Sequence, residues 1–171
     1  MLTWLGAPQA EALIVRLAWY ILLVMLAALV DHAWLSAFWW TPDLSLALAA
    51  WAMVDGDEDG VVWRALLAGF ARDLVDPAGG GFHLIALTAV GILFLPLRRF
   101  LFQTRGAAWA VWACLVYLLV RSADAVISGL GEALPRQMMI GACTTALAAV
   151  VCGWLLGGLP ERFRPVARGG A

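Results

Sequence analysis

The chain has 171 residues, 64% of them hydrophobic, with charge on 13% of positions and a net charge of −1; its mean hydropathy is +0.88. That charged fraction is roughly half the one usual in soluble domains, so the composition describes a membrane protein with too little polar chain for a separate soluble domain. All the basic residues are arginine and there is no basic excess, which gives no electrostatic case for nucleic acid.

Six apolar segments read as helices, at about 11–35, 43–54, 61–76, 82–97, 107–130 and 136–158. The first is too long for a signal-peptide core and has no basic stretch before it, so it reads as an uncleaved span. The second, "DLSLALAAWAMV", supplies about 18 Å of helix against a bilayer core of about 30 Å. It starts well nonetheless: "TPD" at 41–43 offers Thr41 as N-cap, Pro42 in the first turn and Asp43 at the positive end of the helix dipole. Segments two and three are therefore expected to be tilted or shielded by neighbours, with "DGDEDG", 55–60, as the turn between them. Pro77 and the glycines at 79–81 mark a tight turn before segment four. In segment six, "GAC" at 141–143 and the pair Gly153 and Gly157 favour close packing between helices of one chain over dimerisation. The expected fold is all-α: one six-helix transmembrane domain over 1–171 with a short cytoplasmic tail at about 160–171. No internal repeat stands out.

Arginine outside the spans sets the orientation. Arg98, Arg99 and Arg105 follow segment four, and Arg162, Arg164 and Arg168 follow segment six, so these regions and both termini are expected in the cytoplasm. The loops at 36–42 and 77–81 lack arginine, and the one near 131–136 has a single one, as outward loops should. Trp34, Phe38, Trp39 and Trp40 suit an outer aromatic anchor.

With that topology nine polar residues lean toward the outer side: Asp31, His32, Arg72, Asp73, Asp76, His83, Arg121, Asp124 and Arg136. Arg16 and Arg64 lie nearer the cytoplasmic ends, where snorkelling would satisfy them. Helical spacing pairs Arg72 with Asp76, Asp73 with Asp76, and Arg121 with Asp124. A charge at depth normally faces the bundle and finds a partner, so a crossed link from Arg121 to Asp73 or Asp76 would neutralise two costs at once. Arg72, Asp73, Asp76, His83, Arg121 and Asp124 thus form the candidate polar core or partner contact.

Reaction chemistry has little to stand on. Ser122 and Ser128 lack a neighbouring histidine, and no zinc-protease, diphosphate-binding or rhomboid-like motif is present. His32 and His83 sit on different helices with nothing to fix a metal geometry, so no metal or cofactor is expected. Cys114, Cys143 and Cys152 lie inside apolar runs and read as small packing residues. The expectation is a protein that is not an enzyme.

Two stretches carry a family likeness. "WTPDLSLALAAW", 40–51, and "LLAGFARDLVDPAGGGFHLIALTAVGILFLPLRRFLF", 66–102, resemble MreD, a small integral-membrane protein of bacterial rod-shape complexes. The matching positions are Pro42, Asp43 and Leu44, then Gly69, Asp73 and Leu74, then Gly81, Leu84 and Leu87, and the basic stop Arg98–Arg99; Arg72 and Asp76 depart from the mostly apolar pattern around the Asp. The resemblance implies a non-enzymatic scaffold of the inner membrane with six helices. It would bind an MreC-like protein beside a RodA-type glycosyltransferase and a penicillin-binding protein. The family is similar in architecture to the substrate-binding component of energy-coupling-factor transporters, so a vitamin-type transporter subunit is the alternative.

Overall fold

Each apolar segment forms one helix. In the computed structural model, residues 7–34, 41–55, 58–76, 80–101, 105–127 and 135–157 are described. They comprise α1 (Ala7–Ala33), α2 (Leu44–Asp55), α3 (Glu58–Val75), α4 (Phe82–Leu101), α5 (Arg105–Ile127) and α6 (Pro135–Gly157). Of the run 55–60 expected as a turn, Asp55 belongs to α2 and residues 58–60 to α3. The expected features at Phe38, Trp39, Trp40, residues 56–57, Pro77, Gly79, Ser128 and the tail at 160–171 lie outside the described residues, as do the side chains of Arg16, Arg99, Arg105 and Gly157.

The shortest helix is the central one. α2 touches α1, α3, α5 and α6, and nine of its residues, from Ser45 to Val54, are buried. Its alanines at 47, 49, 50 and 52 let the surrounding helices approach closely. Only Leu44, Trp51 and Asp55 of this helix are half-buried rather than buried, so the short second segment is shielded by its neighbours. α3 and α4 pack as a pair, as do α5 and α6, and α4 meets α5. The large core side chains are Leu46 and Met53 from α2, Leu87 and Phe94 from α4, and Trp112 and Val116 from α5. Phe94 and Trp112 lie with ring centroids 4.5 Å apart, and the Trp112 indole Nε1 donates to Met53 Sδ at 3.4 Å.

Glycines set the closest crossings. A Cβ on Gly69 would lie 2.5 Å from the His83 carbonyl oxygen, so only glycine lets α3 and α4 meet there. On α6, the Tyr117 hydroxyl rests on Gly141 and the Trp109 ring on Gly153. Gly153 thus serves contact within the chain, as its setting in the sequence suggested.

The surface of the described helices carries many large apolar side chains. α1 buries Val24 and Ala28 while exposing Ile14, Val15, Trp19, Leu22, Leu23, Leu26, Leu29 and Val30. α5 exposes Val111, Leu115, Leu119, Val126 and Ile127, and α6 exposes Met139, Leu147, Val151, Trp154 and Leu155. Two helices, Ala107–Ile127 and Arg136–Leu156, are long and apolar enough to cross a membrane, and Leu17–Ala33, Leu44–Asp55 and Phe82–Arg98 are shorter apolar helices.

Candidate functional site

The polar residues converge where α2 begins. α2 starts at Leu44, and its N-cap is Asp43 rather than Thr41: the Asp43 carbonyl accepts the Ala47 N–H at 3.0 Å, and Asp43 Oδ1 accepts the Leu46 N–H at 3.0 Å. The correction has a simple cause. A side-chain oxygen at position 43 reaches the third helical amide, whereas Thr41 lies two residues too far back, before Pro42. Two more first-turn amides go to α1, with Asp31 Oδ1 accepting from Leu44 N at 2.9 Å and Asp31 Oδ2 from Ser45 N at 2.8 Å. The Asp43 N–H itself donates to Thr145 Oγ1 on α6 at 3.0 Å. A buried helix start, usually a source of orphan donors, is satisfied by α1, α6 and its own cap.

The charge of that cap is met by α3. Arg72 donates through Nη1 to Asp43 Oδ1 at 2.7 Å and through Nη2 to Asp43 Oδ2 at 2.8 Å, a fork-to-fork pair with strong directional preference. Nη1 also donates to Ser45 Oγ at 2.6 Å. The two side chains are only 13% and 4% exposed. From α5, Arg121 Nη2 approaches Asp43 Oδ2 at 3.8 Å, and its Nη1 lies 3.8 Å from Asp124 Oδ2.

The start of α4 uses the same device. Asp73, near the end of α3, accepts the His83 N–H with Oδ1 at 3.1 Å and the Leu84 N–H with Oδ2 at 2.8 Å; the His83 ring Nδ1 is 2.9 Å from Oδ1. Gly81, at φ +88°, supplies the left-handed residue that turns the chain into α4. Gly69 lies one turn before Asp73 and brings the first turn of α4 against α3, within reach of that carboxylate.

The pairings expected from helical spacing are therefore only partly those found. Arg121 does meet Asp124. Arg72, however, turns to Asp43 rather than Asp76, and Asp73 turns to the α4 amides. The interhelical link of Arg121 runs to Asp43, not to Asp73 or Asp76, because the start of α2 stands between α3 and α5. Asp76 directly follows α3, Arg136 is exposed in the first turn of α6, and His32 is exposed near the end of α1. Among the described residues no group of three His, Cys, Asp or Glu side chains is placed to hold a metal. Arg64 is half-buried and donates to the Ala52 carbonyl at 3.3 Å, so it reaches the last turn of α2 instead of snorkelling outward.

Three residues central to this site carried no special weight in the sequence: Asp31 as a cap, Ser45 and Thr145. A signal for the first was present. Ala27 precedes Asp31 as Gly69 precedes Asp73, by four residues, and each acid lies two residues before its helix ends. The small-x-x-x-Asp pattern occurs once in each of the first two helical hairpins, a local repeat that composition alone hides. No family model, curated protein or solved structure matches this chain.

Proposed function

We propose that the chain is a six-helix, multi-pass protein of the bacterial inner membrane that acts as a non-enzymatic scaffold of the cell-elongation complex and binds an MreC-like partner. The observation that carries the scaffold reading is the use made of the buried polar groups. Asp43, Asp31, Asp73 and Arg72 each bond to another helix or to a helix start, so their hydrogen-bonding capacity goes into joining α1, α2, α3 and α4. A reactive site keeps such groups open to substrate; here they act as joints.

The cell-elongation part rests on the resemblance of 40–51 and 66–102 to MreD. Its motif positions are coherent with an assembly role: Asp43 and Asp73 hold helix starts, Gly69 permits a close crossing, and Gly81 makes the turn. Embedding in a bilayer accounts for the apolar exterior, since a surface this rich in exposed leucine, valine and tryptophan would associate in water. The arginine distribution along the sequence supports an orientation with the polar end outside and both termini in the cytoplasm.

The test is co-purification in mild detergent with the MreC-like protein of the same organism. Recovery of the two in constant ratio through size exclusion supports the reading. Failure to associate, or recovery with ATPase subunits instead, contradicts it.

A further inference from the structure

We propose that Arg121 is the point at which the bundle grips a neighbouring transmembrane helix, through a carboxylate that this helix carries below its outer end. The inference rests on the membrane reading above and names the chemistry of the partner.

Arg121 differs from Arg72 in how it meets the Asp43 carboxylate. Arg72 places both prongs of its guanidinium on Asp43 within 2.8 Å. Arg121 arrives at the same carboxylate second and stops at 3.8 Å. On its other side Asp124 is also 3.8 Å away. Neither distance is a hydrogen bond, so among the described residues a planar fork of five donors has two carboxylates at ion-pair range and hydrogen-bonds neither. The Arg121 side chain is 44% exposed, and the Tyr117 ring lies 5.8 Å behind its central carbon, which steadies the group while leaving its outer edge open.

Depth decides what occupies that edge. Arg121 lies six residues before the end of α5, about 9 Å along the axis, and Val126 and Ile127 beyond it are exposed. Lipid phosphates lie beyond those apolar residues, whereas a carboxylate on an adjacent helix can stand at the level of the guanidinium. A cation at that depth gains most from a bidentate carboxylate in place of lipid. Leu118 and Ala125, about one turn to either side of Arg121 on the same face of α5, are half-buried and provide apolar contact for the same helix.

The probe is a synthetic Leu/Ala transmembrane helix bearing one Glu about 9 Å below its outer end, compared with the same helix bearing Gln. Association with the reconstituted full chain is followed by energy transfer in phosphatidylcholine vesicles. The expected result is about five- to thirtyfold tighter association of the Glu helix, lost in Arg121→Gln, retained in part in Arg121→Lys, and strengthened in Asp124→Asn. Equal association of the two probes with the unaltered chain, or a Glu preference that survives Arg121→Gln, overturns the proposal. So does a preference that appears only with phosphatidylglycerol, which assigns Arg121 to lipid headgroups. If Arg121→Gln does not fold, the contrast between Glu and Gln probes on the unaltered chain and on Arg121→Lys still decides. This experiment uses no MreC-like protein, so its failure and a failure of the co-purification are separate results.

Discussion

Arg72 and Asp43, 29 residues apart in sequence, form a two-pronged ion pair at 2.7 and 2.8 Å with both side chains almost wholly enclosed. The pair joins α3 to the start of α2, the helix packed against α1, α3, α5 and α6. Breaking it leaves an uncompensated charge inside the bundle, which is far costlier than losing a surface pair.

Replacing either member alone, as Arg72→Ala or Asp43→Ala, is expected to destabilise the fold by about 3–5 kcal/mol. The double variant should cost clearly less than the two single losses added together. Arg72→Lys keeps the charge but not the fork and should fall between. Denaturant unfolding in detergent, read as a double-mutant cycle, measures this; additive losses would mean that the two residues act independently.

Asp73 is expected to act on a narrow target. Asp73→Ala removes the acceptor for two first-turn amides of α4 and should cost about 1–2 kcal/mol, while Asp73→Asn, which keeps one acceptor oxygen, should cost less. Hydrogen exchange locates the effect: the amides of His83 and Leu84 should lose protection, and those of Leu44 and Ser45, held by Asp31, should not. Loss of protection spread evenly over α2 and α4 would speak against separate caps.

The Gly69 crossing makes a contrasting pair of variants. Gly69→Ala pushes a Cβ against the backbone of His83 and Leu84 and should cost about 1–3 kcal/mol through separation of α3 from α4. Gly80→Ala meets nothing within 4 Å; its cost is confined to the left-handed backbone at φ +56° and should be about 1–2 kcal/mol, with the His83 and Leu84 amides still protected. Thermal unfolding combined with hydrogen exchange separates the two.

On α6, Gly141 is seated under Tyr117. Gly141→Ala should therefore destabilise the α5–α6 pair by about 1–3 kcal/mol, and shortening the opposing side chain with Tyr117→Leu should recover part of that loss. Unfolding of the two single variants and the double variant tests the coupling; no recovery would place the strain elsewhere.

Much of this arrangement was legible in the sequence, for identifiable reasons. Runs of apolar residues fix helix number and limits to within a few residues, since the main competing outcome for such runs is a break at Gly, Pro or charge. The gathering of Asp31, Arg72, Asp73, His83, Arg121 and Asp124 at one end follows from alternating helix direction. What did not follow was the pairing. Helical spacing sees only neighbours on one helix, so it favoured Arg72 with Asp76; it cannot know that a short central helix presents its capped start between α3 and α5. Thr145 likewise looks like any threonine in an apolar helix until the Asp43 amide is found against it.

The central claim is that six helices cross one bilayer with the acid and arginine ends of the bundle gathered on its outer side. The most direct measurement is labelling of intact cells with a membrane-impermeant maleimide, using chains in which Cys114, Cys143 and Cys152 are replaced by alanine and a single cysteine stands at Trp34 or Ala107. Those positions are exposed and lie near opposite ends of the bundle. The account predicts labelling of Trp34→Cys in intact cells and of Ala107→Cys only after the membrane is opened. Labelling of both in intact cells, the reverse pattern, or release of the protein from membranes at alkaline pH would contradict it.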